Sequence, residues 1–224
     1  LFFVIVLICS RLLTTAPPAY APAGWTPPVV QVNVARAQAR RQVAVDMDWK
    51  DMLKTVRFWV LFILFTIGTT SGLMVIGHAS PIAQDILGMS PEAAGAVVSY
   101  LAVGMVVGKV GWGAASDKVG RYPVFIAMLI VATIALLVMW LSSTWAAVVL
   151  GICTVGLCYG GFLALMGPVT ADAFGQKHLG INFGIMFLTV AAAAFFGPRL
   201  MAAVTDATGG DYAWAFIISA IISV

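Results

Sequence analysis

Apolar residues run along this chain in long unbroken stretches, at about residues 58–76, 93–112, 122–141, 145–170 and 180–204, with an unfinished one at 212–224. A helix rises 1.5 Å per residue, so about 20 such residues cross a hydrocarbon layer about 30 Å thick. Inside lipid the backbone groups of each segment must be satisfied, and an unbroken apolar run does this as an α-helix. The pattern predicts an all-α, polytopic membrane helical bundle. Leu1-Phe-Phe-Val-Ile-Val-Leu-Ile reads as the tail of a span already under way, because no basic stretch precedes it as in a signal peptide. The last run, at 212–224, is too short to cross. Both ends are therefore expected to be cut from a longer chain.

Residues 11–57 break the pattern. They are rich in Pro, Ala, Gln and Arg, opening with Pro17-Pro18 and Gly24-Trp25-Thr26-Pro27-Pro28, and read as an extended linker. Residues 33–45, with Arg36, Arg40 and Arg41, suit either a solvated basic loop or a short helix on anionic headgroups. Trp49, Lys50, Lys54, Arg57 and Trp59 mark a headgroup-level entry into the next span. The linker carries seven Lys/Arg; on the same side fall Lys109, Lys118, Arg121 and Lys177. The opposite loops carry Asp85, Glu92, Asp206 and Asp211, with Arg199 as their base. The positive-inside rule places the basic side in the cytoplasm, so a multi-pass protein of the cytoplasmic membrane is expected.

Composition agrees, with 62% hydrophobic and 9% charged residues and a mean hydropathy of +1.02. The net charge of +3 is gathered in particular loops, which speaks for topology and against a nucleic-acid partner. Cys9, Cys153 and Cys158 all lie in apolar runs and suggest neither disulfides nor a metal site. HExxH, GxSxG and paired intramembrane carboxylates are absent, so no catalytic residue, metal or cofactor is expected, and the chain does not read as an enzyme.

One polar stretch stands out, Gly113-Ala-Ala-Ser-Asp117-Lys118-Val-Gly120-Arg121, an acid, two bases and two glycines between closely spaced spans. A tight turn between rigid helices needs a residue that accepts positive φ, and Gly120 is the expected turn former. Asp117, four residues before Arg121, is placed to pair with it or with a neighbouring helix end, as a latch that is made and broken. The bases by themselves are also explained as topological markers. The stretch resembles the loop signature of the major facilitator superfamily, Gly-x-x-x-Asp-Arg/Lys-x-Gly-Arg/Lys-Arg/Lys, matching each fixed position except the last, Tyr122.

Further stretches resemble the oxalate:formate antiporter family within that superfamily. They are Pro17-Pro18 to Pro27-Pro28, Trp49-Lys50-Asp-Met-Leu-Lys54 with Phe58-Trp59, Gly72-Leu-Met-Val-Ile-Gly77, and Phe174-Gly175-Gln-Lys177-His178-Leu-Gly180-Ile-Asn182-Phe-Gly184. The resemblance implies the second six-helix half of a twelve-helix fold: residues 1–10 end helix six, 11–57 form the cytoplasmic interdomain linker, and 58–224 hold helices seven to twelve. It also implies a secondary transporter of small carboxylates working by alternating access, as antiport or proton symport. Its partners would be a small carboxylate or similar solute, the lipid bilayer and the missing amino-terminal half.

The polar groups that these spans offer to a midplane cavity are Thr66, Thr69 and Thr70, Ser99 and Tyr100, Tyr159, and Asn182 and Thr189. Hydroxyls in membrane helices also bond their own i−4 carbonyl, which is the alternative for each Ser and Thr. The resemblance associates oxalate carriage with basic residues within helices eight and eleven. Here Lys109 and Arg199 lie toward the ends of those spans, which turns the expectation toward monocarboxylates. His78 follows the 58–76 span and suits either a proton site or a solvated interface. Gly104 with Gly108, Gly156 with Gly160 and Gly180 with Gly184 predict helix seams, and Gly167-Pro168 and Gly197-Pro198 predict kinks. A facilitator of sugars or drugs and a non-transporting membrane sensor are the competing readings.

Overall fold

The computed structural model describes residues 46–142 and 144–223. The expectations for residues 1–45, including the opening span, the proline-rich linker and Cys9, lie outside the described residues.

Nine helices form among the described residues: α1 (Trp49–Leu53), α2 (Val56–Gly77), α3 (Ala79–Leu87), α4 (Pro91–Val119), α5 (Arg121–Leu141), α6 (Trp145–Phe174), α7 (Leu179–Met186), α8 (Leu188–Ala207) and α9 (Tyr212–Ser223). Five stretches are long and apolar enough to cross a membrane: α2, α4, α5, α6, and α7 with α8 together. The chain is a multi-pass membrane protein with an all-helical bundle.

Local sequence explains the helix starts. Thr55 Oγ1 accepts from the amide of Phe58, one turn into α2, and Ser90 Oγ does the same for Ala93 with Pro91 at the first position of α4. α3 lies where the sequence suggested a plain loop. It is a short helix that buries Ala79, Ile82 and Ala83 and stops at Gly88 in the left-handed region, φ 63°.

α6 is the centre of the bundle. α4 and α5 pack along it, α2 packs on it as well, α8 packs on α2, and α9 lies against α5 and α2. Two thirds of the most apolar window of α6 is buried, against 22% in α4 and 22% in the α7–α8 span. The core divides into a cluster around Phe58, Phe65, Phe125, Phe162 and Phe174 and another around Met74, Ile82, Leu136, Ile152 and Phe216.

The α4–α6 seam is as close as the glycines allow. A Cβ on Gly108 would run into the carbonyl of Leu157, and one on Gly160 into that of Met105. Gly104 and Gly156 face Cys153 and Leu101 in the same way. Two of the three expected glycine pairs thus make a seam. The third, Gly180 with Gly184, does not: nothing lies within 4 Å of a Cβ at either position.

α6 continues through Pro168 and α8 through Pro198 without a break in the helix, while the span of α7 and α8 loosens at Phe187. There Thr189 Oγ1 donates to the carbonyl of Met186 at 2.8 Å, and the amide of Val190 turns to Phe187 O at 3.0 Å. A side chain competing for a backbone acceptor shifts the ladder by one residue. Phe187 keeps helical dihedrals, so the span loosens without turning.

Candidate functional site

The Gly113–Arg121 signature is not a loop. α4 stays helical through Val119, so Gly113, Ser116, Asp117 and Lys118 occupy its last turns, and the connection to α5 is Gly120 alone, at φ 110° and ψ 158°. Such a backbone is open to glycine and strained for other residues. A Cβ at Gly113 would meet nothing within 4 Å, and this glycine forms no turn.

Arg121 then points back across the bundle. Its Nε donates to Asp172 Oδ2 on the last turns of α6 at 2.6 Å, and its Nη1 donates to Ser116 Oγ at 3.3 Å. The expected partner, Asp117, is met at only 3.5 Å. Asp172 is 46% exposed and Asp117 71%, while Arg121 is 18% exposed, so the Asp172 pair is both shorter and better shielded. Ser116, buried, donates its own hydroxyl hydrogen bond to Gly113 O at 2.7 Å. One guanidinium thus ties the end of α4 and the start of α5 to the end of α6. Lys118 is exposed.

A second polar tie at the same end was missed in the sequence. Asp46 Oδ1 accepts from the amides of Gln176 and Lys177 at 3.0 and 3.1 Å, and the Met47 amide donates to Phe174 O at 3.0 Å. Asn182 Nδ2 donates to Met47 O at 3.0 Å, and Arg57 Nη1 reaches Ala173 O at 3.3 Å. Gly175, at φ +87°, leaves room that a Cβ would take from Asp46. Met52 of α1 is fully buried in the neighbouring cluster. Residues 46–55 are therefore strapped onto the loop between α6 and α7. The signal available beforehand was an acidic residue beside a glycine turn, but the two are 130 positions apart.

Each cavity candidate has its own surroundings in the bundle. Thr66 and Thr69 donate to Phe62 O and Phe65 O at 2.7 and 2.5 Å, Thr189 to Met186 O, and Ser99 to Gly95 O at 3.2 Å. These are the self-bonded arrangements described as the alternative. Thr70 is buried where α8 crosses, its carbonyl 3.1 Å from a Cβ built on Gly197. Tyr159 is buried against Gly72 in the α2–α6 contact. Asn182 sits in the first turn of α7, held by the strap near one end of the bundle and away from mid-span; its Oδ1 is buried without a partner. Tyr100 is 56% exposed on α4, on the same open side as Ser99.

Among the described residues, two hollows can be compared with these positions. One of about 110 Å³ lies at the end opposite Gly120, where Tyr212 OH donates to Asp85 Oδ2 at 3.0 Å. The other, about 280 Å³, is an apolar groove between α5 and α6. Neither contains a cavity candidate. His78 shares its Nδ1 with Met74 O at 3.3 Å where α2 ends. No group of three or more His, Cys, Asp or Glu able to hold a metal occurs among the described residues.

Comparison with known proteins gives the arrangement its context. The chain is 30% identical over 200 residues to the oxalate:formate antiporter of Oxalobacter formigenes, which covers 83% of this chain and 45% of that protein. It is 29% identical to the MFS transporter asaE of Aspergillus flavus over 60% of the chain and 31% of that protein. It is 24% identical to the uncharacterized MFS-type transporter YhjX of Escherichia coli over 65% of the chain and 37% of that protein. The chain spans less than half the length of each of these relatives. The sequence model of the Major Facilitator Superfamily matches residues 70–224. With that match covering most of the bundle described above, the chain belongs to the major facilitator superfamily.

Proposed function

We propose that the chain is the carboxy-terminal six-helix half of a twelve-helix secondary transporter that moves small organic anions, with monocarboxylates preferred, by alternating access. Residues 1–10 would end helix six, 11–57 link the halves on the cytoplasmic side, and 58–224 supply helices seven to twelve. The observation that carries this reading is the similarity to the oxalate:formate antiporter across 83% of the chain.

The Gly120 end supplies a device suited to such a cycle. Arg121 joins the α4–α5 pair to α6 through Asp172 and, more loosely, Asp117. Breaking this tie loosens the ends of the three helices at Gly120 while the α4–α6 and α5–α6 seams stay packed, so the network suits a latch at the cytoplasmic end.

A second reading is a facilitator of an uncharged solute. It is favoured by the open face of α4, which presents the Ser99 and Tyr100 hydroxyls. Flux in proteoliposomes of the complete carrier decides between them. Gradient-driven or exchange uptake of labelled formate, exceeding that of oxalate, is the expected result. Uptake of an uncharged solute with no carboxylate flux in either mode would establish the second reading instead.

A further inference from the structure

The exposed side of α5 differs from that of α4. Ile126, Ile130, Ile134, Val138 and Leu141 follow one another along it at spacings of three or four, all branched and aliphatic. The open side of α4 includes the hydroxyls of Ser99 and Tyr100. A side that offers only hydrocarbon matches lipid tails, which are as apolar as leucine.

The groove of about 280 Å³ between α5 and α6 is set into this aliphatic side. Val131, Ile134 and Val138 line it from α5, and Ala147, Leu150 and Thr154 from α6. Each set spans seven positions, so the groove runs about 10 Å along the helices, most of one leaflet's share, about 15 Å, of the hydrocarbon layer. Its lining is apolar but for Thr154, whose hydroxyl is spent on Leu150 O at 2.7 Å. An extended peptide or a carboxylate would lose its hydrogen bonds there. A hydrocarbon chain has none to lose.

The α5–α6 turn stands at the end of the groove. Thr144 precedes α6 without a side-chain cap bond, its Oγ1 lying 3.0 Å from Ser142 Oγ instead. The first amides of a helix have no acceptor within it and carry the positive end of its dipole, which suits a phosphate. Trp145 is exposed beside them, as expected at headgroup level. Ala147, where the groove begins, is the third residue of α6.

The geometry points to a bound phospholipid in the leaflet at the end opposite Gly120, with an acyl chain in the α5–α6 groove and its phosphate at the start of α6. The groove carries the inference, the helix start selects a phospholipid over other hydrocarbon chains, and neither depends on the solute that the protein moves.

The test uses the full-length protein reconstituted with phosphatidylcholine bearing a mid-chain diazirine, irradiated and mapped by mass spectrometry. Label should concentrate on Ile134, Leu150 and Thr154 over Leu137, which lies at the same depth on α5 outside the groove. Ala147→Phe fills the groove and should cut this label severalfold while Leu137 stays labelled. Thr144→Asp supplies a helix cap but sets a carboxylate where the phosphate would lie, and should lower the groove label with folding intact. Equal labelling of Leu137 and the groove residues shows an ordinary lipid boundary only and overturns the proposal. An unlabelled groove, with Leu150→Cys cross-linking to another protein segment, shows that a helix covers it and overturns the proposal as well. Unchanged groove label in Thr144→Asp overturns the phosphate position, and this variant decides alone where Ala147→Phe fails to fold.

Discussion

The α4–α6 seam and the outer face of α7–α8 carry the same small-residue spacing with opposite outcomes. Gly104, Gly108 and Gly160 bring two backbones together until no Cβ fits, with Gly156 packed tightly on Leu101, whereas Gly180 and Gly184 have nothing within 4 Å. A glycine pair permits close approach but does not name a partner. What decides is the neighbour: α6 is buried from both sides, while α7–α8 offers one side to the bundle and leaves the other open.

The largest expected effect tests that contrast directly. Gly160→Ala puts a methyl against the Met105 carbonyl, and a backbone cannot rotate away as a side chain can. A loss of about 3 kcal/mol or failure to fold is expected in detergent-denaturation titrations, while Gly184→Ala changes stability by less than about 0.5 kcal/mol. Equal costs at the two positions would show that the open face is packed after all.

Polar contacts should grade in the same way. Asp46→Ala removes the acceptor for two amides of the α6–α7 loop, and a loss of about 1–2 kcal/mol is expected. Hydrogen exchange at Gln176 and Lys177 is the readout, and unchanged protection there would mean that the strap is dispensable. Asp172→Asn weakens a half-exposed ion pair and should cost about 1 kcal/mol after solvent screening. Faster exchange in the last turn of α4 would report it. Asp117→Asn, at 3.5 Å and 71% exposed, should cost a few tenths of a kcal/mol. If Asp117→Asn loosens α4 more than Asp172→Asn does, the order of the two partners of Arg121 is wrong.

The spans were legible because a run of twenty apolar residues has few alternatives in lipid. Their limits were less so. Charges and glycine after Trp112 suggested a loop, yet a helix leaving the membrane keeps its hydrogen bonds into water, and α4 continues to Val119. Gly120 was readable because positive φ selects glycine. Asp172 was not, since it lies beyond the expected end of its span and meets Arg121 only in three dimensions, 51 residues away. The facing of side chains was hardest to read. A helix that is apolar all round has no stripe to separate Tyr159, buried against Gly72, from Tyr100, which faces out.

The strap at Asp46 has a consequence for the order in which the protein is made. Chains emerge from the ribosome amino end first, at about 5–20 residues per second. Asp46 and Met47 are synthesised well before Phe174, Gln176, Lys177 and Asn182, which supply their partners. For roughly ten seconds, at those rates, Met52 has no completed pocket and α1 has nothing to dock on. Burial of Met52 therefore signals that α6 and α7 have already been inserted, and a cysteine at position 52 would become shielded only after residue 182 has entered the membrane.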